Sequence, residues 1–283
     1  MHGHPFVRTR SPNRPIACCL LFLGILCTAS ANETQTVFEF GRPLYRFFNT
    51  REYRAGNQNW AAIQDRQGLL LFGNDNLVLQ YDGQRWERIC VPGGGAIHGL
   101  AVDDRGEIWV GGAGQLGRLV REGNRYRFLG TAGEKGLPAN FGEVAQIVSG
   151  GETEFVRSEK ALLVRAGNEW KSIAWPHGNG FDYMLSGIDK RVFAHARNDP
   201  LYEIVNGEFA RVVEDTRLQS TIVYRVLEPK SGLILLVTKD HGIFRLLQNQ
   251  ITPFPTDIDP LLARFSVRAA STVPGSYMAV AVE

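Results

Sequence analysis

Short apolar runs, each closed by a turn of glycine, aspartate or asparagine, follow one another along most of this chain. Trp60-Ala61-Ala62-Ile63 ends at Asp65-Arg66-Gln67-Gly68, and Ile97-His98-Gly99-Leu100-Ala101-Val102 ends at Asp103-Asp104-Arg105-Gly106. Aspartate opens such a turn by bonding its own backbone, and glycine closes it because it tolerates positive φ. The next runs, Leu69 to Phe72 and Glu107 to Val110, stop at Gly73 and Gly111, and third runs span Leu77 to Tyr81 and Leu116 to Val120. No comparable stretch repeats apolar residues at helical spacing, so the pattern predicts strands.

The fourth run of each group starts with an aromatic just beyond a glycine turn. The markers are Gly83 with Trp86, Gly123 with Tyr126, Gly167 with Trp170 and Gly207 with Phe209, and a fifth copy carries Gln248-Asn249 with Ile251. Their spacings of 40 (123−83), 44 (167−123), 40 (207−167) and 41 (248−207) match four short strands per repeat. The expected fold is therefore all-β, a β-propeller of four-stranded antiparallel blades with about six copies. Trp60, Trp109 and Leu235 are expected on buried strands, and the marker aromatics between neighbouring sheets.

The later copies drift from the phrase. Ser149-Gly150-Gly151 and Gly187-Ile188-Asp189 replace the Asp-x-x-Gly turn, and the last copy has only two strand-like runs, Arg264 to Ala269 and Tyr277 to Val282. Its outer strands could come from Thr36 to Phe40 and Leu44 to Phe48, closing the ring. The alternative is a fragment of a seven-bladed or larger array.

The sequence Gln58-Asn59-Trp60-Ala61, Asp65-x-x-Gly68, Phe72-Gly73-Asn74 and Leu79-Gln80-Tyr81-Asp82-Gly83 resembles the opening blade of two-component regulator propellers. Asp103-x-x-Gly106-x-Ile108-Trp109-Val110-Gly111 and His241-Gly242-Ile243-Phe244-Arg245-Leu246 are similar to the same repeat. The resemblance covers roughly residues 40 to 283. It implies the extracytoplasmic sensor domain of a bacterial signalling receptor, an oligosaccharide or other small extracellular ligand, and a histidine kinase or other output module as partner. On the same fold, a lyase or glycoside hydrolase and a protein-interaction scaffold are the alternatives.

The beginning of the chain reads as an export signal. Arg8, Arg10 and Arg14 precede an apolar run from Ile16 to Ala29, and Ala29-Ser30-Ala31 is a small-x-small cleavage site. The run is short for a membrane span, which takes about 20 residues, so an uncleaved anchor is the lesser alternative. Residues 1–31 are thus expected to be a signal peptide and 32–283 a periplasmic or secreted propeller. Removing three arginines changes the formal charge from +2 to −1, that is 28 basic minus 29 acidic residues, which leaves no basic field for nucleic acid. Cys90 alone remains of four cysteines, so neither an internal disulfide nor a cysteine zinc cluster is expected. A small buried residue is its expected role.

Candidate chemistry is sparse. Gly112-Ala113-Gly114-Gln115-Leu116-Gly117 fits a dinucleotide fingerprint, yet a strand pattern follows it where a helix N-terminus would have to hold phosphate, and no cofactor is expected. His98, His177, His195 and His241 have no metal-ligand spacing, and the aspartates fall in turns that they cap. Asn59 and Trp60, at the start of an innermost strand, and His98, at the start of the next, are the candidate ligand-binding residues. Trp60 could stack on a sugar ring, against the competing role of core packing. No catalytic or metal set is expected.

Overall fold

The computed structural model of the protein describes residues 46–123, 125–273 and 277–283. The expected signal peptide and the strand-like residues 36–45 lie outside the described residues. From Phe47 to Glu283 the chain forms one compact unit.

Five four-stranded antiparallel blades follow one another among the described residues, each in simple up-and-down order. Blade 1 holds β1 (Asn59–Gln64), β2 (Leu70–Asn74), β3 (Leu77–Tyr81) and β4 (Trp86–Cys90), preceded by the helical turn α1 (Thr50–Tyr53). Blade 2 holds β5 (Gly99–Val102), β6 (Ile108–Gly112), β7 (Gln115–Glu122) and β8 (Arg125–Gly130). Blade 3 consists of β9 (Val144–Gly150), β10 (Thr153–Ser158), β11 (Leu162–Ala166) and β12 (Glu169–Ile173). Blade 4 has β13 (Tyr183–Ile188), β14 (Arg191–Ala196), β15 (Leu201–Val205) and β16 (Glu208–Val213). After α2 (Thr216–Gln219), blade 5 has β17 (Val223–Lys230), β18 (Leu233–Thr238), β19 (Ile243–Leu247) and β20 (Gln250–Pro253). After α3 (Asp259–Leu262) comes a sixth sheet of two strands, β21 (Val267–Val273) and β22 (Tyr277–Val282).

The turns form as their residues dictate. Asp65 Oδ1 accepts from the backbone of Gln67 and Leu69, both at 2.8 Å, and Asp103 Oδ1 accepts from Arg105 at 2.9 Å and Glu107 at 2.7 Å. Gly83, Gly123, Gly167 and Gly207 all take positive φ, and Gln248 and Asn249 replace them in the fifth blade with φ of 47° and 63°. The sequence Gly112 to Gly117 spans the β6–β7 hairpin, with strand on both sides.

The core lies between blades. Leu71, Val78 and Ile89 of blade 1 pack on Leu100, Ile108 and Val110 of blade 2, and Trp109 and Leu116 of blade 2 pack on Val144, Val156 and Trp170 of blade 3. Middle strands such as β6 and β14 are buried on both faces, which explains their continuous apolar runs, whereas β1 and β8 are half open and alternate. Marker aromatics Tyr126 and Trp170 face the preceding blade. Tyr126 Oη donates to Asp65 Oδ2 across the blade 1–2 junction at 2.8 Å, and Trp170 meets Trp109 edge-on at 5.8 Å.

Among the described residues no blade precedes Trp86, and aromatics ahead of β1 pack on its ring. Phe48 and Tyr53 lie 5.1 and 5.5 Å from its ring. Phe48, which the sequence offered as part of a closing strand, thus packs on blade 1. At the other end Leu262 of α3 and Val267 and Ala270 of the last sheet pack on Leu227, Leu235 and Val237 of blade 5.

Two expectations fail. Cys90 is exposed, because it points away from the blade at the end of outermost strand β4 while its neighbour Ile89 points in. Trp60 is 48% exposed although it lies on an innermost strand, whereas Trp109 and Leu235 are fully buried as expected. The pairing of β1 with β2 skips a residue between Asn59 and Ala61, so Trp60 is a bulge residue turned out of the blade.

Candidate functional site

The bulge at Trp60 recurs. The pairing skips between Val223 and Arg225 in blade 5 and between Val267 and Ala269 in the last sheet, which puts Tyr224 and Arg268 at the position of Trp60. These three side chains sit at the same end of the innermost strands. An extra residue there breaks the alternation between blade interior and channel and re-aims a side chain.

Around Trp60 the three sequence-predicted residues come together with three that the sequence did not single out. Trp60 Nε1 donates to Asp75 Oδ1 at 3.1 Å, and the His98 ring stands edge-on to the indole at 4.5 Å. His98 Nδ1 lies 2.6 Å from Glu143 Oε1. Glu143 in turn bridges to Ala113 of the β6–β7 hairpin, so blades 1, 2 and 3 contribute to one cluster. Asn59 Oδ1 accepts from Asn74 Nδ2 at 2.8 Å, and that buried amide also holds the carbonyls of Gly56 at 2.9 Å and Gln58 at 2.8 Å.

The roles within this cluster differ. Trp60 is the exposed aromatic surface, anchored at one edge by Asp75 and at another by His98. The Nε2 of His98 is buried without a hydrogen-bond partner, so His98 supports the indole rather than facing a ligand. Asn74 fastens the loop ahead of β1 and holds Asn59 by its Oδ1, which leaves the Asn59 Nδ2 as a donor. Gly73 lets this arrangement close, because a Cβ there would lie 2.3 Å from the Ile97 carbonyl. Asp75 and Glu143 were missed because each comes from a turn distant in sequence. Their only signal was a carboxylate in a loop at the same blade end as Trp60.

Two further polar groups occupy that end of the fold. In blade 4, His177 Nδ1 lies 2.7 Å from Asp199 Oδ1, and Tyr183 Oη donates to the other oxygen of Asp199. Burial first, then the bond to Asp199, pushes the Tyr183 hydroxyl far above its usual range, so it stays a donor. A cavity of about 390 Å³ opens beside these residues and Arg197. In blade 5, Ser220 Oγ lies 3.1 Å from His241 Nε2, and His241 Nδ1 lies 2.8 Å from Asp240 Oδ1, which also accepts from Thr221 Oγ1 at 2.5 Å. The Thr221 and His241 bonds outweigh burial and draw the Asp240 carboxyl below its usual range. That is the order of groups that activates a serine, but all three are open to water, where such an array loses most of its electrostatic advantage. His195 is fully buried, with Nδ1 accepting from the Val223 backbone at 3.0 Å, and its role is structural. Among the described residues no group of three or more His, Cys, Asp or Glu could hold a metal ion. No described helix is long and apolar enough to cross a membrane.

No protein-family model and no curated protein matches this chain. Solved structures do. The extracellular domain of the one component system BT4673 from B. thetaiotaomicron superposes with a TM-score of 0.60 at 14% identity, over 79% of this chain and 31% of that one. The extracellular domain of the hybrid two component system BT3049 from the same organism gives 0.62 at 12% identity, over 84% and 34%. The WD40 repeats of RRP9 give 0.52 at 11%, over 69% and 64%. The chain thus spans about a third of the two extracellular domains. At these identities the likeness is one of fold. The architecture is the β-propeller that the sequence phrase led us to expect, and extracellular domains of signalling systems are among the structures that share it.

Proposed function

We propose that this chain is the ligand-sensing propeller of an exported, two-component-type receptor, and that it binds without catalysing a reaction. The ligand is an oligosaccharide or another small extracellular molecule, and the output partner is a histidine kinase or a comparable module. The observation that carries the reading is Trp60, a large indole held out of the blade by a bulge and braced by Asp75 and His98. Exposure of a large aromatic at the channel end of an inner strand costs hydrophobic stabilisation unless something covers it. A sugar ring, with one apolar face and a polar rim, suits an indole flanked by the Asn59 amide and the Asp75 and Glu143 carboxylates. Extracellular sensors with this fold support the assignment to signalling, and the signal-like residues 1–31 support export.

The test is a thermal-shift screen of neutral and acidic glycans against the full chain, followed by calorimetry on any that stabilise it. Trp60→Ala should weaken binding by about 1–3 kcal/mol, the contribution of a well-packed aromatic, with little change in Tm because the side chain is already half exposed. A glycan that binds Trp60→Ala as tightly as the parent protein would remove Trp60 from the site.

The Ser220, His241 and Asp240 chain favours a second reading, hydrolysis on the same fold. A fluorophosphonate probe distinguishes the two. The sensor reading expects no adduct at Ser220, and a stoichiometric adduct lost in His241→Ala would establish an activated serine.

A further inference from the structure

Arg225 and Arg157 are two inward cations with no acidic partner among the described residues. Arg225, one residue past the bulge in β17, lines a cavity of about 610 Å³ where inner strands of blades 1, 4 and 5 and the last sheet converge. Among the described residues its one hydrogen bond is a long 3.4 Å approach of Nη1 to the Leu185 carbonyl, although a guanidinium carries five N–H donors. No acidic residue lines this cavity, whereas the hydroxyl residues Ser271 and Thr272 do.

Arg157, on β10, is only 9% exposed. It donates to the Tyr183 carbonyl and reaches the Ala145 carbonyl at 3.4 Å, and its Nε is buried without a partner. Burial draws it down to about 10, where the Tyr224 hydroxyl opposes and the Arg225 charge adds to the effect. Burial alone draws Arg225 down as well. A buried cation beside a half-buried one is unfavourable unless an anion lies near, since desolvating an uncompensated charge is expensive. Both arginines also sit where side chains rather than backbone join neighbouring inner strands. Gln146 bonds the Leu185 N–H and carbonyl at 3.0 and 2.9 Å, and Ser186 bonds Val226 in the same way. The cations are therefore held in a rigid wall.

We infer that the channel cavity binds an oxyanion, either a free inorganic one or the carboxylate of an acidic sugar, with Arg225 as the direct contact, Thr272 as a hydroxyl donor and Arg157 as the charge behind it. A guanidinium fork fits two oxygens of such a group at once. The site stands without the Trp60 reading; if both hold, the receptor's ligand is an anion-bearing one.

Thermal melts of the full chain at pH 7.5 and fixed ionic strength test this, with millimolar sodium sulfate or sodium glucuronate replacing part of the sodium chloride and glucose as the neutral control. At a few times its Kd an anion should raise Tm by about 2–4 °C. Arg225→Gln should lose that rise, and Arg225→Lys, which keeps the charge without the fork, should keep only part of it. The Gln variant also subtracts the general stabilisation that sulfate gives any folded protein. Sulfate alone acting identifies a free inorganic anion, and glucuronate acting where glucose does not identifies an acidic sugar. No rise beyond chloride with either anion, or the same rise in Arg225→Gln, overturns the inference. Trp60→Ala should keep the anion effect, so failure of the indole site and failure of the anion site read out separately.

Discussion

Glu154 gives the most exacting test of the blade packing, because its environment gives a pH dependence opposite in sign to that of an ordinary ion-paired carboxylate. The side chain lies on middle strand β10 with no exposed surface, 3.4 Å from Arg165 Nη1 and 3.8 Å from Arg105 Nη2, which reaches over from blade 2. Glu154 Oε1 is buried and has no hydrogen-bond partner. Burial dominates and raises the carboxyl to about 7 against the pull of Arg165, and the neighbouring Asp103 raises it further. Between 4.5 and about 7 the folded protein therefore holds a proton that the unfolded chain has lost, so this group's stabilisation grows as pH falls through about 7 and levels off below the unfolded value.

The slope is at most about 1.4 kcal/mol per pH unit, or about 3 kcal/mol across the window. His195 opposes it. Burial lowers that imidazole to about 4, so the unfolded chain binds the proton first and stability is lost as pH falls from 6.5 towards 4. The two slopes overlap, and a melt of the parent protein alone mixes them. Glu154→Gln isolates the first, since it keeps the shape and leaves Arg165 stacked on Trp109 at 4.8 Å. The difference in Tm between parent and variant, measured by calorimetry from pH 8 to pH 5, should move by several degrees in favour of the parent as pH falls. A difference that stays flat, or that favours the parent more at high pH, would mean that the Arg165 ion pair outweighs burial and would refute this account.

Two further substitutions probe the contacts that set the blades side by side. Tyr126→Phe removes the hydroxyl that reaches Asp65 across the first junction and should lower stability in chemical denaturation by about 1.5–3 kcal/mol, the range for a hydrogen bond to a charged group. Gly73→Ala forces a Cβ against the Ile97 carbonyl, where 2.3 Å is available, and should lower Tm while reducing ligand binding at Trp60, with a cost of about 1–3 kcal/mol for overpacking.

The fold was legible because its repeat is written in residues with local jobs. Asp65 and Asp103 cap their own turns, Gly83, Gly123, Gly167 and Gly207 take the positive φ that their positions in the phrase implied, and Trp170 packs on the preceding blade. Such signals do not depend on what lies elsewhere in the chain. The candidate site was legible in part. Asn59, Trp60 and His98 were singled out from their place at the start of inner strands and lie together in the structure, but Asp75 and Glu143 follow no local rule, and neither does the Asp199 that holds His177 across 22 residues. Cys90 was misjudged by composition, since an outermost strand buries one face only.

Trp60 shows why the remaining error was of a different kind. A tryptophan in an Ala- and Ile-containing run belongs by alternation to the core, and only the register of β1 against β2 shows that one residue is inserted and turned out. The same insertion at Tyr224 and Arg268 leaves no mark in composition, because two aromatics and an arginine share no one chemical class. What they share is radial position. Middle strands are buried on both faces and spend their sequence on packing, so variation there is constrained by volume. Inner strands have a free edge to the channel, where a bulge interrupts few bonds and an unpaired cation such as Arg225 can be aimed inward. Recognition in this fold is therefore to be sought at departures from the repeat rather than in the repeat itself.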